Sequence, residues 1–257
     1  MKKLNLINND EDGKSLELLA RYLKLTHLQG VELDEHTSIE KDWSELVKFS
    51  KTYPRFDKIK LQKIQSRKTY PFLNKRKSIR KFDKSYTLNT QDISKIFSNS
   101  AIDLSNSEYP KRLFPSGGAM YPTNIYLLNL KESDLAKGLY YYNPKKHWLE
   151  LLFKDYDNNE TNKIICDEDI SNPSALVILT SSYFKHCLKY GGRGFRYSLI
   201  EIGALAQLID ISCRDAGLDC VWLGAFNDDY VKKLLDINDE LELELPVLII
   251  AIGKNGK

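Results

Sequence analysis

Residues 112–122 read RLFPSGGAMYP, and the stretch 115–122 within them sets a pair of glycines between two prolines. Proline lacks a backbone donor and glycine tolerates positive φ, so this stretch cannot continue a helix or a central strand and reads as a shaped loop. Upstream of it lies a helical segment over residues 92–97, for which Asn89 or Thr90 supplies an N-cap. Downstream the pattern changes to strands. Residues 124–130, 139–142 and 148–153 are rich in aromatic and β-branched side chains, and Asn143 and Pro144 place a hairpin turn between the last two. ALVILT, residues 175–180, is apolar along nearly its whole length and predicts a central strand buried on both faces.

Farther on, Leu199, Ile202, Leu205, Leu208, Ile209 and Cys213 recur at helical spacing from about Phe195, and Gly217 stands where a C-cap belongs. A short strand at 220–223, a helix at about 228–235 and a final strand at 245–252 complete the reading. Strands and helices alternate only in part, and no GxGxxG follows a strand, so the pattern predicts an α+β sheet wrapped by helices and not a doubly wound dinucleotide fold. Before about residue 70 the chain is rich in Lys, Asp and Glu. Its short amphipathic runs, Leu16, Leu19 and Leu23, then Leu46, Val47 and Phe49, suggest two or three small helices. The division expected is a mainly helical N-terminal extension over 1–70 and one main domain over 71–257.

Composition narrows the function classes. With 257 residues, 42% hydrophobic, the chain can bury a full core, and a net charge of +3 within 28% charged residues is too small an excess to predict nucleic acid or membrane as partner. The start, MKKLNLINNDEDGKS, has no apolar stretch behind its lysines, and no window reaches the ~20 apolar residues of a membrane span. The expectation is a cytoplasmic protein. Cys166, Cys187, Cys213 and Cys220 form no CxxC pair, and His27, His36, His147 and His186 do not stand at metal-ligand spacing with them, which argues against structural zinc and against a disulfide framework.

Five segments could carry chemistry. Arg76, Lys77, Ser78 and Arg80 pack cations and a hydroxyl into five residues, a group suited to a phosphate because guanidinium gives charge-assisted, bidentate hydrogen bonds. A solvated basic surface has the same composition. In the 115–122 loop, Pro115, Ser116, Gly117 and Gly118 let backbone amides approach a flat or anionic ligand closely, although a tight helix-to-strand connection would use the same residues. Residues 188–196, LKYGGRGFR, set Lys189, Tyr190 and two arginines among three glycines; such a loop is costly to order unless something docks on it. Its plain alternative is a surface helix entry with solvated cations. Gly224 follows a strand end, where turn amides can face a ligand, and Lys254 follows the final strand, where a cation could meet a phosphate.

These pieces stand in the order and at roughly the spacing of the nitroreductase superfamily of flavoenzymes. RKSIRKF at 76–82 resembles that family's Arg-Arg-Ser-x-Arg motif. PSGGAMYP is similar to the Pro-Ser-Gly-Gly-Ala-Leu-Tyr-Pro signature of its SagB-type branch, the azoline dehydrogenases of streptolysin-like and microcin-like peptide pathways. KYGGRGFRYSLIEIGALAQ at 189–207 and GAFNDDYVKKLLDI at 224–237 resemble two further segments of that branch, so the likeness covers about 75–254. Met120 replaces the commoner leucine, Lys77 the commoner second arginine, and Gly191 with Gly192 stand where larger residues are usual.

The resemblance implies a nitroreductase-like fold with a central, mainly antiparallel mixed sheet. It implies that Arg76, Lys77, Ser78, Arg80 and Lys254 hold the phosphate and ribityl end of FMN. Pro115, Ser116, Gly117 and Gly118 would border the ring from a partner protomer, hence a homodimer, and Gly224 would offer it a backbone amide. Lys189 and Tyr190 match the family's proposed proton-abstracting pair. The activity implied is oxidation of peptide thiazoline or oxazoline rings, made by a partner cyclodehydratase, with hydride passing to FMN and dioxygen reoxidising it. Two other readings stay open: an NAD(P)H-dependent nitro or quinone reductase, and a flavin-binding scaffold subunit without catalysis.

Overall fold

The computed structural model describes Arg21, Arg55 and residues 57–61, 76–106, 109–237 and 244–256. Apart from Arg21, which is helical, the small helices expected before residue 70 lie outside the described residues.

Why the central run ALVILT is apolar throughout becomes plain from the sheet order. Strands β1 (Thr123–Asn129), β2 (Gly138–Asn143), β3 (Trp148–Lys154), β4 (Ala175–Ser181), β5 (Asp219–Leu223) and β6 (Leu245–Gly253) form one sheet ordered β3-β2-β1-β4-β6-β5. β4 is therefore interior, and all seven of its residues are buried. Its side chains alternate between two cores. Val177 and Leu179, with Ile125 and Leu127 of β1, meet Ile202, Leu205 and Ile209 of the long helix on one face. Leu176 and Ile178, with Tyr126 and Leu128, meet Phe82, Ile164, Phe226 and Val231 on the other. The expected mixed sheet is antiparallel at every one of its strand pairs, and the parallel element is an isolated bridge, Lys81 to Ser171.

Five helices cover these faces among the described residues: α1 (Thr90–Ser98), α2 (Thr161–Ile164), α3 (Phe184–Tyr190), α4 (Arg193–Asp215) and α5 (Asp228–Leu234). Asn89 is the N-cap of α1, accepting from the Asp92 amide at 2.8 Å while the Asp92 carboxylate accepts from the Asn89 amide, a reciprocal capping box. The hairpin turn after Asn143 is tied to α1 by His147, whose Nδ1 lies 2.8 Å from the Tyr142 hydroxyl and whose Nε2 lies 3.1 and 3.0 Å from Ser94 and Ser98. That histidine has a structural post. α4 ends as the sequence predicts, with Gly217 at φ +74° just beyond its C-cap and the Gly217 amide returning to the Arg214 carbonyl.

One segment departs from expectation. Residues 188–196 are not an open loop: Lys189 and Tyr190 are the last turn of α3, and α4 starts at Arg193. The glycines make a sharp break between two helices. Gly191 takes φ +57° as the C-cap of α3, and Gly194 packs so closely on α3 that an added Cβ would lie 2.4 Å from the His186 carbonyl carbon. Glycine is required there by a close helix crossing, so its presence is no sign by itself of a docked ligand.

Antiparallel pairing fixes which loops are neighbours. The start of β1 at Thr123, the end of β4 at Ser181 and the start of β6 at Leu245 share one end of the sheet. Asn129, Ala175, Asp219 and Gly253 lie at the other. The two ends stand roughly 20 Å apart along strands of this length. At the far edge of the sheet, all of β3 except half-buried Leu149 is exposed, including Trp148, Leu151, Leu152 and Phe153.

Candidate active site

At the β1 start, residues 116–120 form a single 3₁₀ turn, Gly117–Ala119, in which Gly118 takes φ +64°. The turn is closed by the Ala119 amide on the Ser116 carbonyl at 3.1 Å and by the Tyr121 amide on Ser116 Oγ at 2.9 Å. It lies directly against the end of α3. A Cβ on Gly118 would fall 2.8 Å from the Tyr190 hydroxyl and 2.9 Å from Lys189 Nζ, so in one chain the loop, the amine and the phenol converge. Lys189 is exposed and Tyr190 half-buried. The Lys189 ammonium stands 5.5 Å from the Tyr190 ring centre, and Tyr190 packs edge-on against Tyr197 at 5.0 Å. The pair thus has one open side and one fixed side.

Beneath the turn is a buried polar group that no sequence motif announced. His186 is fully buried, with Nδ1 3.0 Å from Ser198 Oγ and Nε2 3.4 Å from Ser116 Oγ. Glu201, 1% exposed, accepts from the Thr123 amide at 3.3 Å and the Thr123 hydroxyl at 2.6 Å, and its second oxygen stands 3.9 Å from His186 Nε2. Nearby, Arg112 spreads its guanidinium 5.1 Å from the Tyr121 ring centre, with Nε and Nη1 buried and without a hydrogen-bond partner among the described residues. Burial lowers the Arg112 pKa below the usual guanidinium value, and the Glu201 charge opposes that shift. Glu201 did carry a readable signal, since Gly194, Ser198, Glu201 and Leu205 lie on the buried stripe of α4 and an acid on such a stripe calls for a reason. His186 sits in a helix the glycines obscured.

The remaining candidates gather at the opposite end of the sheet. Arg76, Lys77, Ser78 and Arg80 are exposed, but their backbone is fastened: the Ile79 amide donates to the Cys220 carbonyl, Arg214 Nη2 donates to the Lys77 carbonyl at 2.8 Å, and the Arg80 carbonyl accepts from Ser171. Arg80 Nε meets Asp167 at 3.3 Å, a solvent-exposed pair of small worth. Phe82 bridges Asn255, and this sets Lys254 beside the same segment with its ammonium 4.5 Å from the Tyr86 ring centre. Gly224, at the end of β5 nearer the 116–118 turn, is exposed and an added Cβ there would meet nothing within 4 Å. Pro115 is exposed beside Ser116. The structure therefore joins Pro115, Ser116, Gly117, Gly118, Lys189 and Tyr190 in one group and Arg76, Lys77, Ser78, Arg80 and Lys254 in another, with Gly224 along the edge strand between them.

All four cysteines are free thiols, and buried Cys213 has its pKa raised by a side-chain hydrogen bond to Cys220 and by burial. Among the described residues there is no cluster of three or more side chains able to hold a metal, and no helix is long and apolar enough to cross a membrane.

Comparison with known proteins places this arrangement. The profile of the Nitroreductase family matches residues 73–254. A protein of Methanocaldococcus jannaschii that carries the nitroreductase name, MJ1384, is 28% identical over 198 residues, 76% of this chain and 96% of that one. The microcin B17-processing protein McbC of Escherichia coli is 27% identical over 141 residues, about half of either chain at 50% and 49%. Among solved structures, a chain of the E. coli microcin synthetase McbBCD complex with truncated pro-MccB17 bound superposes with TM-score 0.76 at 21% identity, covering 95% of this chain and 94% of that one. A nitroreductase structure from Ralstonia eutropha superposes with TM-score 0.59 at 22% identity, covering 72% and 81%. The α+β sheet, the order of its motifs and these matches together show that the chain belongs to the nitroreductase family, as a SagB- and McbC-like member.

Proposed function

We propose that this protein is an FMN-dependent oxidase of thiazoline or oxazoline rings in a ribosomally made peptide, acting as a cytoplasmic homodimer beside a cyclodehydratase. The observation that carries the reading is the convergence of Lys189 Nζ and the Tyr190 hydroxyl on Gly118. An amine and a phenol held together on an open side, against a glycine that leaves room, are suited to take a proton from a flat five-membered ring. One of the two accepts the ring's α-proton while the other orients it or shares the charge. Bound FMN would supply the hydride acceptor, with dioxygen taking the electrons onward and ring aromaticity giving the driving force.

The residues present fit that cofactor. Arg76, Lys77, Ser78, Arg80 and Lys254 offer exposed cationic and hydroxyl donors on a fastened backbone, the donor set a phosphate needs. From there the exposed β5 edge leads to Gly224, whose open backbone can meet a ring. Pro115, Ser116, Gly117 and Gly118 lie at the other end of the sheet with Lys189 and Tyr190. A ligand gripped by both groups is met most simply by two protomers, one giving the phosphate end and its partner giving the loop and the proton-handling pair.

The deciding experiment is mass spectrometry of an azoline peptide before and after incubation with the purified yellow protein. A loss of two hydrogens per ring is expected, and unchanged rings in the presence of flavin, dioxygen and the cyclodehydratase would overturn the reading. The likeness to the M. jannaschii protein over most of both chains favours one other activity, reduction of nitro or quinone compounds by NAD(P)H. Rapid flavin bleaching by NAD(P)H with nitroaromatic turnover would select it. A scaffold subunit without catalysis would leave the rings unchanged in either assay.

A further inference from the structure

We infer that His186, held by Ser198, is a positioning residue that seats the 116–118 turn against Lys189 and Tyr190, and that Glu201 fastens the other end of the same loop. His186 Nδ1 lies 3.0 Å from Ser198 Oγ, itself 3.3 Å from the Gly194 carbonyl, and Nε2 lies 3.4 Å from Ser116 Oγ, which accepts from the Tyr121 amide at 2.9 Å. Nε2 also faces the second carboxylate oxygen of Glu201 at 3.9 Å, an oxygen that is buried and has no hydrogen-bond partner among the described residues. Tyr121, Ser116, His186, Ser198 and Gly194 thus form a continuous hydrogen-bonded chain from the turn into the junction of α3 and α4.

The far end of the loop has its own fastening. Glu201, one helical turn beyond Ser198 on the same face of α4, accepts from both the amide and the hydroxyl of Thr123. Two buried polar side chains therefore bracket residues 116–123. Burying an imidazole and a carboxylate is unfavourable compared with apolar side chains of equal size, so for stability alone a hydrophobic pair would serve as well or better. Their bonds go to the two ends of one loop. Contact at the turn is close enough to transmit position: a Cβ on Gly117 would lie 3.3 Å from His186 Nε2, and the next residue, Gly118, is the one that meets Lys189 and Tyr190. Tyr190 and Tyr197 close the other sides of the imidazole, at 6.4 and 6.3 Å between ring centres.

The catalytic meaning of this bracket rests on the function proposed above; the bracket itself does not, and the test separates them. Hydrogen exchange by mass spectrometry is measured on the loop peptide covering residues 113–123 in three variants. In His186→Gln the longer side-chain amide can still hydrogen-bond to Ser116 Oγ, so exchange in the loop should stay within about threefold of wild type. In His186→Asn the shorter side chain can still bond to Ser198 but cannot reach Ser116, so the same amides should exchange about tenfold faster, the effect of losing roughly one buried hydrogen bond. Ser198→Ala, a smaller change, should raise loop exchange about threefold and keeps the test alive if either His186 variant fails to fold.

Equal exchange in the Gln and Asn variants, faster exchange spread over the whole sheet, or an unchanged loop in Ser198→Ala would each overturn the inference. Turnover of the azoline peptide is read in parallel, and kcat should fall with loop protection while KM moves little. A wild-type protein that leaves azolines unoxidised, yet whose loop responds as described, would sink the proposed function and leave the bracket standing. Normal turnover with an indifferent loop would do the reverse.

Discussion

The two ends of the sheet are built on opposite principles. At one, Arg76, Lys77, Ser78, Arg80 and Lys254 stand in solvent on two neighbouring segments, the first of which is bonded through its backbone to β5, to α4 and to the residues that follow β6. At the other, the exposed amine of Lys189 rests on a turn that is fastened from beneath by fully buried His186 and Glu201. A polyanion can be held by flexible charges because its recognition is mainly electrostatic and tolerates movement. Proton transfer tolerates little, since an error of about 1 Å in placement costs on the order of a hundredfold in rate. The difference teaches where the fold invests rigidity: in the backbone at the end proposed to bind phosphate, in the side chains at the end proposed to handle protons.

Substitutions can break or sharpen this contrast. The largest effect is expected at the reacting end, where Lys189→Ala and Tyr190→Phe should lower azoline oxidation by about a hundredfold or more, the usual range for a general base, while the protein still purifies yellow. Full turnover in both variants would remove the pair from the mechanism. At the other end, Arg80→Ala combined with Lys254→Ala should weaken FMN binding about tenfold to a hundredfold, measured by fluorescence titration of the apoprotein, and restoring saturating flavin should restore most of kcat. A loss of kcat that flavin cannot repair would show that the two ends are not separable.

Gly118→Ala probes the seam between loop and base. The positive φ of this residue costs a non-glycine about 1–2 kcal/mol, and the new Cβ must displace Lys189 Nζ or the Tyr190 hydroxyl, so kcat should fall about tenfold with little change in flavin affinity. The smallest effect is expected far from both ends. Asn89→Ala removes the reciprocal cap of α1, which should cost about 1 kcal/mol and lower Tm by a few degrees with kcat and flavin affinity unmoved. Activity lost in proportion to this loss of stability would mean that the site responds to any loosening of the fold, and the contrast between its ends would lose its meaning.

The sequence made the sheet legible because its signals were local. The apolar run at 175–180, the aromatic pairs at 139–142 and the prolines around Gly117 each have one structural solution, and β4, β2 and the 3₁₀ turn occupy those places. The N-cap at Asn89 and the stop at Gly217 were readable for the same reason. What was not readable depends on pairing at a distance. Gly191 and Gly194 look like a flexible loop until α3 is seen crossing α4, and His186 gains significance only once α4 brings Ser198 beneath the 116–118 turn. The resemblance assigned Ser116 to the border of a flavin ring and Lys189 with Tyr190 to proton abstraction, and nothing in their spacing shows that within one chain Gly118 is the point at which the loop meets the pair. Splitting the candidates between two ends likewise needed the antiparallel order, which no single strand encodes.

That order has a consequence for how the molecule is made. β6, late in the chain, sits between β4 and β5, and it is the strand that joins the edge bearing Gly224 to the rest of the sheet. As the ribosome extends the chain, β1 to β4 can pair among themselves. The β5 edge has no partner strand until residues 245–253 have emerged, and pairings between such distant segments are slow to form. The cationic end, which is fastened to β5 and to the residues following β6, is thus among the last parts of the protein to take shape.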